Sequence, residues 1–399
     1  MGKLKLHTAI FIATASFLLY CCNQSKPVEH GNDAKDGSSV LNVDPKKIDT
    51  FIAGEMERQG IPGASVAVVY AGKIIYKNCF GLANVEYSIP VKRESPFKIA
   101  SLTKPFTAIA IMQLMERGKI SLDEKITTYL DGLPAEWSSI TIGQLLHHTS
   151  GLADYFKAPD WSWKNSWRID LNHDEFIQMC SRSPMVYPPG TKMKYCNTGY
   201  YLLGMVIEKA SGLSYEEYLS EHIFRPIRMS HSQLDKGQSI IYNRVSGYTL
   251  YDKALKNAEF TSDTWAYSEG GIITTAEDLA KLDSSFYTNA LLKKASLEQL
   301  WLPSKLTDGS DGIIGDNGAG KSNHYGAGWF ISDYKGHRLI LAGGNKPGYT
   351  CTFFRFPDNQ VSVIILSNLS SSDLYPVAGK IAEMYLEHTR ADTTGPARP

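Results

Sequence analysis

Strand-forming runs lie at both ends of this chain, and a helical middle separates them. After an amphipathic segment KKIDTFIAGEMERQG (46–60) and Pro62-Gly63, the runs ASVAVVY (64–70) and KIIYKNCF (73–80) are split by the turn Ala71-Gly72. Strand patterning returns only after about residue 325, in AGWFISDY, HRLILAGG, TCTFFRFP and VSVIILSNL, joined by Gly, Pro, Asn and Asp turns. Between them, PFTAIAIMQLMERG (105–118), TIGQLLHHT, GYYLLGMVIEKASG, SYEEYLSEHIF and TAEDLAKLDSSFY read as helices, and LYPVAGKIAEMYLEH closes the chain. Thr275 and Asp278 form a capping-box-like pair. Strand and helix do not alternate, which argues against a doubly wound parallel sheet. The predicted class is α/β in the α+β sense: one antiparallel sheet from both termini, flanked by helices, with a largely helical insertion at about 102–265.

The first residues predict export. Lys3 and Lys5 precede an apolar run from Ala9 to Tyr20, shorter than the roughly 20 residues a spanning helix needs. The run stops at Cys21-Cys22 and gives way at once to polar sequence. This resembles a bacterial lipoprotein signal, with residues 1–21 removed, Cys22 lipidated and 22–45 a flexible tether. An ordinary cleaved signal and an uncleaved anchor are the alternatives. On this reading the protein is exported, periplasmic and membrane-bound through its lipid only, with a folded domain over 46–390 and a short tail over 391–399. The chain has formal net charge zero and no block of like charge, so nothing points to nucleic acid. Cys79, Cys180, Cys196 and Cys351 are far apart with no C-x-x-C, so neither a zinc site nor a dense disulfide framework is indicated; a single disulfide is left open.

One local match points elsewhere. GDNGAGKS (315–322) satisfies the phosphate-loop pattern at Gly315, Gly320, Lys321 and Ser322. A working phosphate loop follows a buried strand and opens a helix whose amides hold the phosphates. The flanks LTDGSDGII and NHYGAGWF supply neither, so the stretch reads as a glycine-rich connecting loop.

Chemistry is better placed at Ser101-Leu102-Thr103-Lys104. Side chains at i and i+3 share a helical face, and a serine at a helix N-terminus meets free amides that favour a developing negative charge. Lys104 can take the serine proton only when neutral, which requires its pKa to fall by about three units from ~10.4. Ninety-odd residues on, PPGTKMKYCNTGYYLLGMVIEKASG carries Tyr195-Cys196-Asn197. With LLHHTSGL, GGIITTAEDLAKL, YGAGWF and VSVIILSN, the chain resembles the serine β-lactamase and penicillin-binding-protein-like family over about residues 48–388. The branch is that of class C β-lactamases, D,D-peptidases, D-aminopeptidases and related esterases.

The resemblance implies a β-lactamase/transpeptidase-like fold and a serine hydrolase that needs no metal or cofactor. It implies Ser101 as nucleophile, Lys104 and Tyr195 as the proton-transfer pair, and Asn197 as the residue that positions substrate or lysine. It implies a structural role in a turn for His148, and Cys196 stands where relatives carry a small residue, as a filler. The third family motif, K-T-G or H-x-G before P-G, falls on Ala342-Gly343-Gly344 ahead of Pro347-Gly348, so the basic residue is replaced by alanine. The amides of Asn345 and Ser101 can still form an oxyanion hole, since that role needs no side chain. Lys346 either replaces the missing base or points to solvent. The expected activity is therefore ester or amide cleavage with weak or no β-lactamase action. The substrate would be a small molecule or peptide, cell-wall fragments among the candidates, and the protein a monomer. The rival is a non-hydrolytic penicillin-binding sensor on the same fold. Trp161, Trp163 and Trp167 either wall a substrate groove or pin the insert to the helical region.

Overall fold

The structure is a computed structural model that describes residues 43–159, 161, 162, 166–262, 264–315 and 321–389. The expected signal, lipidation site and C-terminal tail, residues 316–320 of the glycine-rich stretch, Trp163 and the side chain of Trp167 lie outside the described residues.

Eight strands form one antiparallel sheet: β1 (Gly63–Tyr70), β2 (Lys73–Asn84), β3 (Ile89–Pro90), β4 (Lys321–Tyr325), β5 (Phe330–Tyr334), β6 (His337–Lys346), β7 (Tyr349–Phe356) and β8 (Val361–Ser367). Their order is β3-β2-β1-β8-β7-β6-β5-β4, so the first and last strands of the sheet in sequence are neighbours at its centre, with Ala64 opposite Ser367 and Tyr70 opposite Val361. The central strands GASVAVVY and VSVIILS lack polar alternation because both their faces are covered. Ala67 and Val69 face one core and Ala64, Val66 and Val68 the other.

On the second face lie α1 (Pro45–Gln59) and α6 (Leu374–Thr389). Asp44 caps α1 by accepting from the Lys46 amide, and Gly60 ends it in the left-handed region. Leu374, Val377, Ala378, Ile381 and Tyr385 make the buried stripe of α6, the spacing its sequence predicts. The other face carries the helical region. Its central element, α2 (Lys104–Glu116), is buried from Lys104 to Leu114, as a helix apolar on every side must be. Against it pack α3 (Asn197–Ser211) and the single turn α4 (Tyr267–Gly270), while α5 (Ala276–Ser285) lies on strands β1, β8 and β2, its Thr275 cap accepting from the Asp278 amide as expected.

Two local expectations are refined. The region read as helical also holds a hairpin, Tyr248–Tyr251 with Ala254–Asn257, turned by Asp252 and Lys253 at φ 48° and 64°. Lys321 and Ser322 open strand β4 and not a helix, so the phosphate-loop match lacks the element that would make it bind phosphate. Among the described residues no helix is long and apolar enough to cross a membrane, and the four cysteines are free thiols.

Candidate active site

Ser101 stands in a 3-10 turn, Ala100–Thr103, that leads directly into α2. Ala100 is held at φ 45°, a left-handed conformation that a non-glycine residue pays strain to adopt, immediately before the serine. Strand β6 presses on this turn so closely that a Cβ on Gly344 would run into the Ile99 carbonyl and reach 2.9 Å from the Ser101 amide. Glycine at 344 is therefore a requirement of the close approach. From β7, the Cys351 thiol donates to the Ile99 carbonyl at 3.1 Å and ties the turn to the sheet.

Lys104 is one helical turn from Ser101 and 1% exposed. Its Nζ lies 3.0 Å from Ser101 Oγ, 2.8 Å from Asn197 Oδ1, 2.8 Å from Glu269 Oε2 and 3.0 Å from the Glu269 carbonyl. The Tyr195 ring covers it, centroid 4.8 Å away. The sequence makes a neutral lysine the condition for taking the serine proton, and the contacts around Lys104 work against it. Burial disfavours the ammonium, but the Glu269 carboxylate beside it outweighs burial, and the Lys104 pKa is raised. Tyr195 is likewise raised, by burial first, with the Lys104 charge pulling against it.

Asn197 serves the lysine. Its Oδ1 accepts from Nζ while its amide nitrogen and Nδ2 donate to Asp154 Oδ2, at 2.8 and 3.1 Å. His148 is structural, as the resemblance implies. It sits at φ 58°, its Nδ1 accepts from the Cys196 amide, and its ring packs on those of Tyr195, Tyr200 and Tyr325. Burial holds it neutral, well below the usual imidazole range, with Lys104 adding to the effect. His147 bonds the Gly326 carbonyl and is also pushed down by burial. Cys196 is buried and its thiol is pushed up to about 12, which makes it an inert filler.

A cleft opens in front of Ser101, lined by Tyr155, Phe156, Trp265, Thr261, Asn197, Glu269 and the segment Asn345-Lys346. Along β6, residues 342, 344 and 346 share one face. Ala342 is buried in the site-side core, whereas Lys346 reaches the cleft. The Asn345 side chain turns away, 3.5 Å from Ser371 Oγ, and a Cβ on Gly343 would meet Tyr375, so these two residues offer the site backbone only. Trp161 packs edge-on against Trp265 and Tyr155, centroids 4.5 and 5.2 Å apart. It pins the insert, while Trp265, Tyr155 and Phe156 wall the cleft. Among the described residues no group of His, Cys, Asp and Glu could hold a metal ion.

Sequence reading missed Asp154, Tyr155, Trp265 and Glu269. Asp154 and Tyr155 directly follow the HTSGLA stretch and Glu269 precedes the double glycine Gly270-Gly271, so the family-like stretches flanked them without marking their role.

A sheet of this order, with a serine, a buried lysine and a tyrosine converging between it and a helical region, defines the serine hydrolases of the β-lactamase fold. The Beta-lactamase family model matches residues 48–383, and the chain belongs to that family. It is 31% identical over 331 residues to Penicillin-binding protein 4* of Bacillus subtilis, covering 79% of this chain and 70% of the relative. Among solved structures it superposes on an octameric penicillin-binding protein homologue from Pyrococcus abyssi with a TM-score of 0.73 and 26% identity, over 86% of this chain and 78% of the other. A D-amino acid amidase from Ochrobactrum anthropi, complexed with D-phenylalanine, shares the fold at a TM-score of 0.72 and 23% identity, over 87% and 99% of the two chains.

Proposed function

We propose that the protein cleaves an ester or amide through an acyl-enzyme on Ser101. The observation that carries this reading is the 3.0 Å contact between Ser101 Oγ and a fully buried Lys104 Nζ, with the Tyr195 ring lying over the same ammonium. Ser101 attacks the carbonyl, Lys104 and Tyr195 move the proton to the leaving group, and the amides of Ser101 and Asn345 receive the oxyanion. Water then releases the acyl group. The aromatic wall of Tyr155, Phe156 and Trp265 favours a flat, apolar acyl group, and D-phenylalanine amide belongs among the first substrates tried. Lys346, which lines the cleft, is the cation proposed to meet a substrate carboxylate. A basic residue at 342 would face the packed core, so efficient β-lactam hydrolysis is not expected.

The test is treatment with a fluorophosphonate and with a penicillin, mapping of the adduct by mass spectrometry, and turnover of nitrophenyl esters and a chromogenic cephalosporin. Ester turnover with an adduct on Ser101, both lost in Ser101→Ala, is the expected result. No adduct and no turnover would leave the non-hydrolytic sensor. Export and lipid attachment at Cys22 complete the proposal; labelled fatty acid should enter the wild-type chain and not Cys22→Ala.

A further inference from the structure

The contacts of Lys104 raise a problem of hydrogen-bond supply. An ammonium has three N–H bonds and no lone pair. Three of the four atoms around Nζ only accept: Asn197 Oδ1, the Glu269 carbonyl and Glu269 Oε2. They use all three donors, and Ser101 Oγ is the fourth neighbour. The lysine can take the serine proton only by releasing one of its own at the same time. Of its three acceptors, the amide and peptide oxygens do not hold a proton near neutral pH. The carboxylate does.

We propose that Glu269 is the proton acceptor of the acylation step, a positioning residue that acts through Lys104. This rests on the acyl-enzyme reading above. As the Ser101 Oγ–H bond breaks and Oγ bonds to the substrate carbonyl carbon, Nζ gains that proton and passes another to Glu269 Oε2. The carbonyl π pair moves onto its oxygen. When the bond to the leaving group breaks, the proton returns from Glu269 to Lys104. Lys104 passes one to Tyr195, which gives its own to the leaving group. The lysine, tyrosine and glutamate finish as they began.

The fold is built to hold Glu269 there. Its other oxygen, Oε1, accepts from the Tyr155 hydroxyl at 2.8 Å, and Tyr155 is fixed among Phe156, Trp161, Phe176 and Trp265. The turn α4 that carries it begins at Tyr267 with φ 35°, a strained start for an aromatic residue. Thr107 Oγ1 donates to the Ser268 carbonyl at 2.5 Å, and Ser268 Oγ donates to the Tyr200 carbonyl at 2.8 Å. Gly204 leaves the room that Ser268 and Tyr267 occupy. The other titratable groups facing the pair are Asp154 behind Asn197, Tyr155, Tyr195, Tyr200 and the neutral His148, and Lys346 stands across the cleft. Asp154 reaches Lys104 only through Asn197, so among the described residues Glu269 is the carboxylate in direct contact with Nζ.

The experiment follows the rate of Ser101 labelling by a fluorophosphonate against pH, so it needs no knowledge of the natural substrate. Glu269→Gln keeps the shape and cannot take the proton. Labelling should slow about 100-fold or more at neutral pH and recover roughly tenfold per pH unit on the alkaline side, where Lys104 as a free amine takes the proton itself. Glu269→Asp should keep the wild-type profile at a lower rate. A Glu269→Gln protein labelled like wild type would overturn the proposal. So would a folded variant equally slow at every pH, since that marks a structural tie alone. Should the variant not fold, a proton inventory of wild-type labelling in mixed light and heavy water reads the same step. Two protons in flight give a curved plot, and a straight line would overturn the idea. Absence of any Ser101 adduct on the wild type removes the hydrolase reading and this step with it, whereas a labelled wild type indistinguishable from Glu269→Gln removes this step alone.

Discussion

Two buried ion pairs lie on the helical side of the sheet, and their chemistry suits them to opposite things. Lys104–Glu269 has side chains 1% and 7% exposed, and Arg355–Asp283 has 4% and 0%. Both join a cation to a carboxylate in a site closed to water, at a desolvation cost that their attraction must offset. Arg355 stands four residues beyond Cys351 on β7, about 13 Å along the strand from the contact with the Ser101 turn. Its guanidinium is ringed by Phe286, Tyr287 and Trp301 at 4.9–5.2 Å, and Asp283 takes a further hydrogen bond from Ser362. The Asp283 carboxylate could take a proton, but an arginine does not give one up. Around Lys104 the neighbours are a serine hydroxyl, a tyrosine and a carboxylate, all able to exchange protons. Burial and charge are alike, so the residue type and its neighbours decide whether a pair holds the fold or moves a proton.

The contrast breaks most sharply under Lys104→Arg. The charge stays and the exchangeable proton goes, so Ser101 labelling should fall about 10³-fold or more with the thermal midpoint little changed. Labelling at the wild-type rate would mean that the lysine's proton plays no part. Asp283→Asn should do the reverse. It leaves Arg355 buried without its counter-ion and should cost about 3–5 kcal/mol in urea unfolding, while the folded fraction labels normally.

Acid sharpens the comparison further, because His147 and His148 are held neutral by burial on the lysine side. The unfolded chain binds those protons as pH falls below about 6.5, and the folded chain does not until lower pH. Stability present above that value is therefore lost on acidification, by up to about 1.4 kcal/mol per pH unit for each histidine. His148→Asn, which suits the left-handed backbone there, should flatten that slope even if it lowers stability at neutral pH.

The smallest effect belongs to an exposed network on the far face. Glu383 bonds Lys335 and Lys380 at 2.6 and 2.9 Å. Its partial burial favours the neutral acid, but Lys335, Lys380 and Tyr334 hold its carboxyl down to about 2. Solvent screening limits this to less than about 1 kcal/mol, present above the ordinary carboxylate range and lost as pH falls towards 2. Lys380→Ala should shift unfolding by no more than that.

The sheet was legible because its strands are β-branched runs cut by turn residues, and α2 because an apolar run of its length has only a buried place to go. Ser101, Lys104 and Tyr195 were legible by spacing and by family-like context. Glu269 was not. It lies 165 residues from Lys104 in sequence, and a glutamate before two glycines reads as loop. Missing it left the charge of Lys104 half argued, since burial favours a neutral amine and the carboxylate beside it favours the ammonium. The place of Lys346 at the cleft needed the register of β6, which sets residues 342, 344 and 346 on one face. Of the insert's tryptophans, Trp161 pins, and the cleft wall comes from Tyr155, Phe156 and Trp265 outside the insert.

The pairing of β1 with β8 sets a clock on synthesis. Ala64 meets Ser367 only after about 300 further residues have been made, which takes roughly 15–60 s at ribosomal speeds of about 5–20 residues per second. Throughout that interval the apolar strand GASVAVVY has an edge without its native neighbour, and pairing across so long a separation is intrinsically slow. The Ser101 turn waits as well, because Gly344 and Cys351 that press on it are made some 240 residues later. A nascent chain of this protein therefore carries its serine and lysine for most of its synthesis with no active centre to put them in.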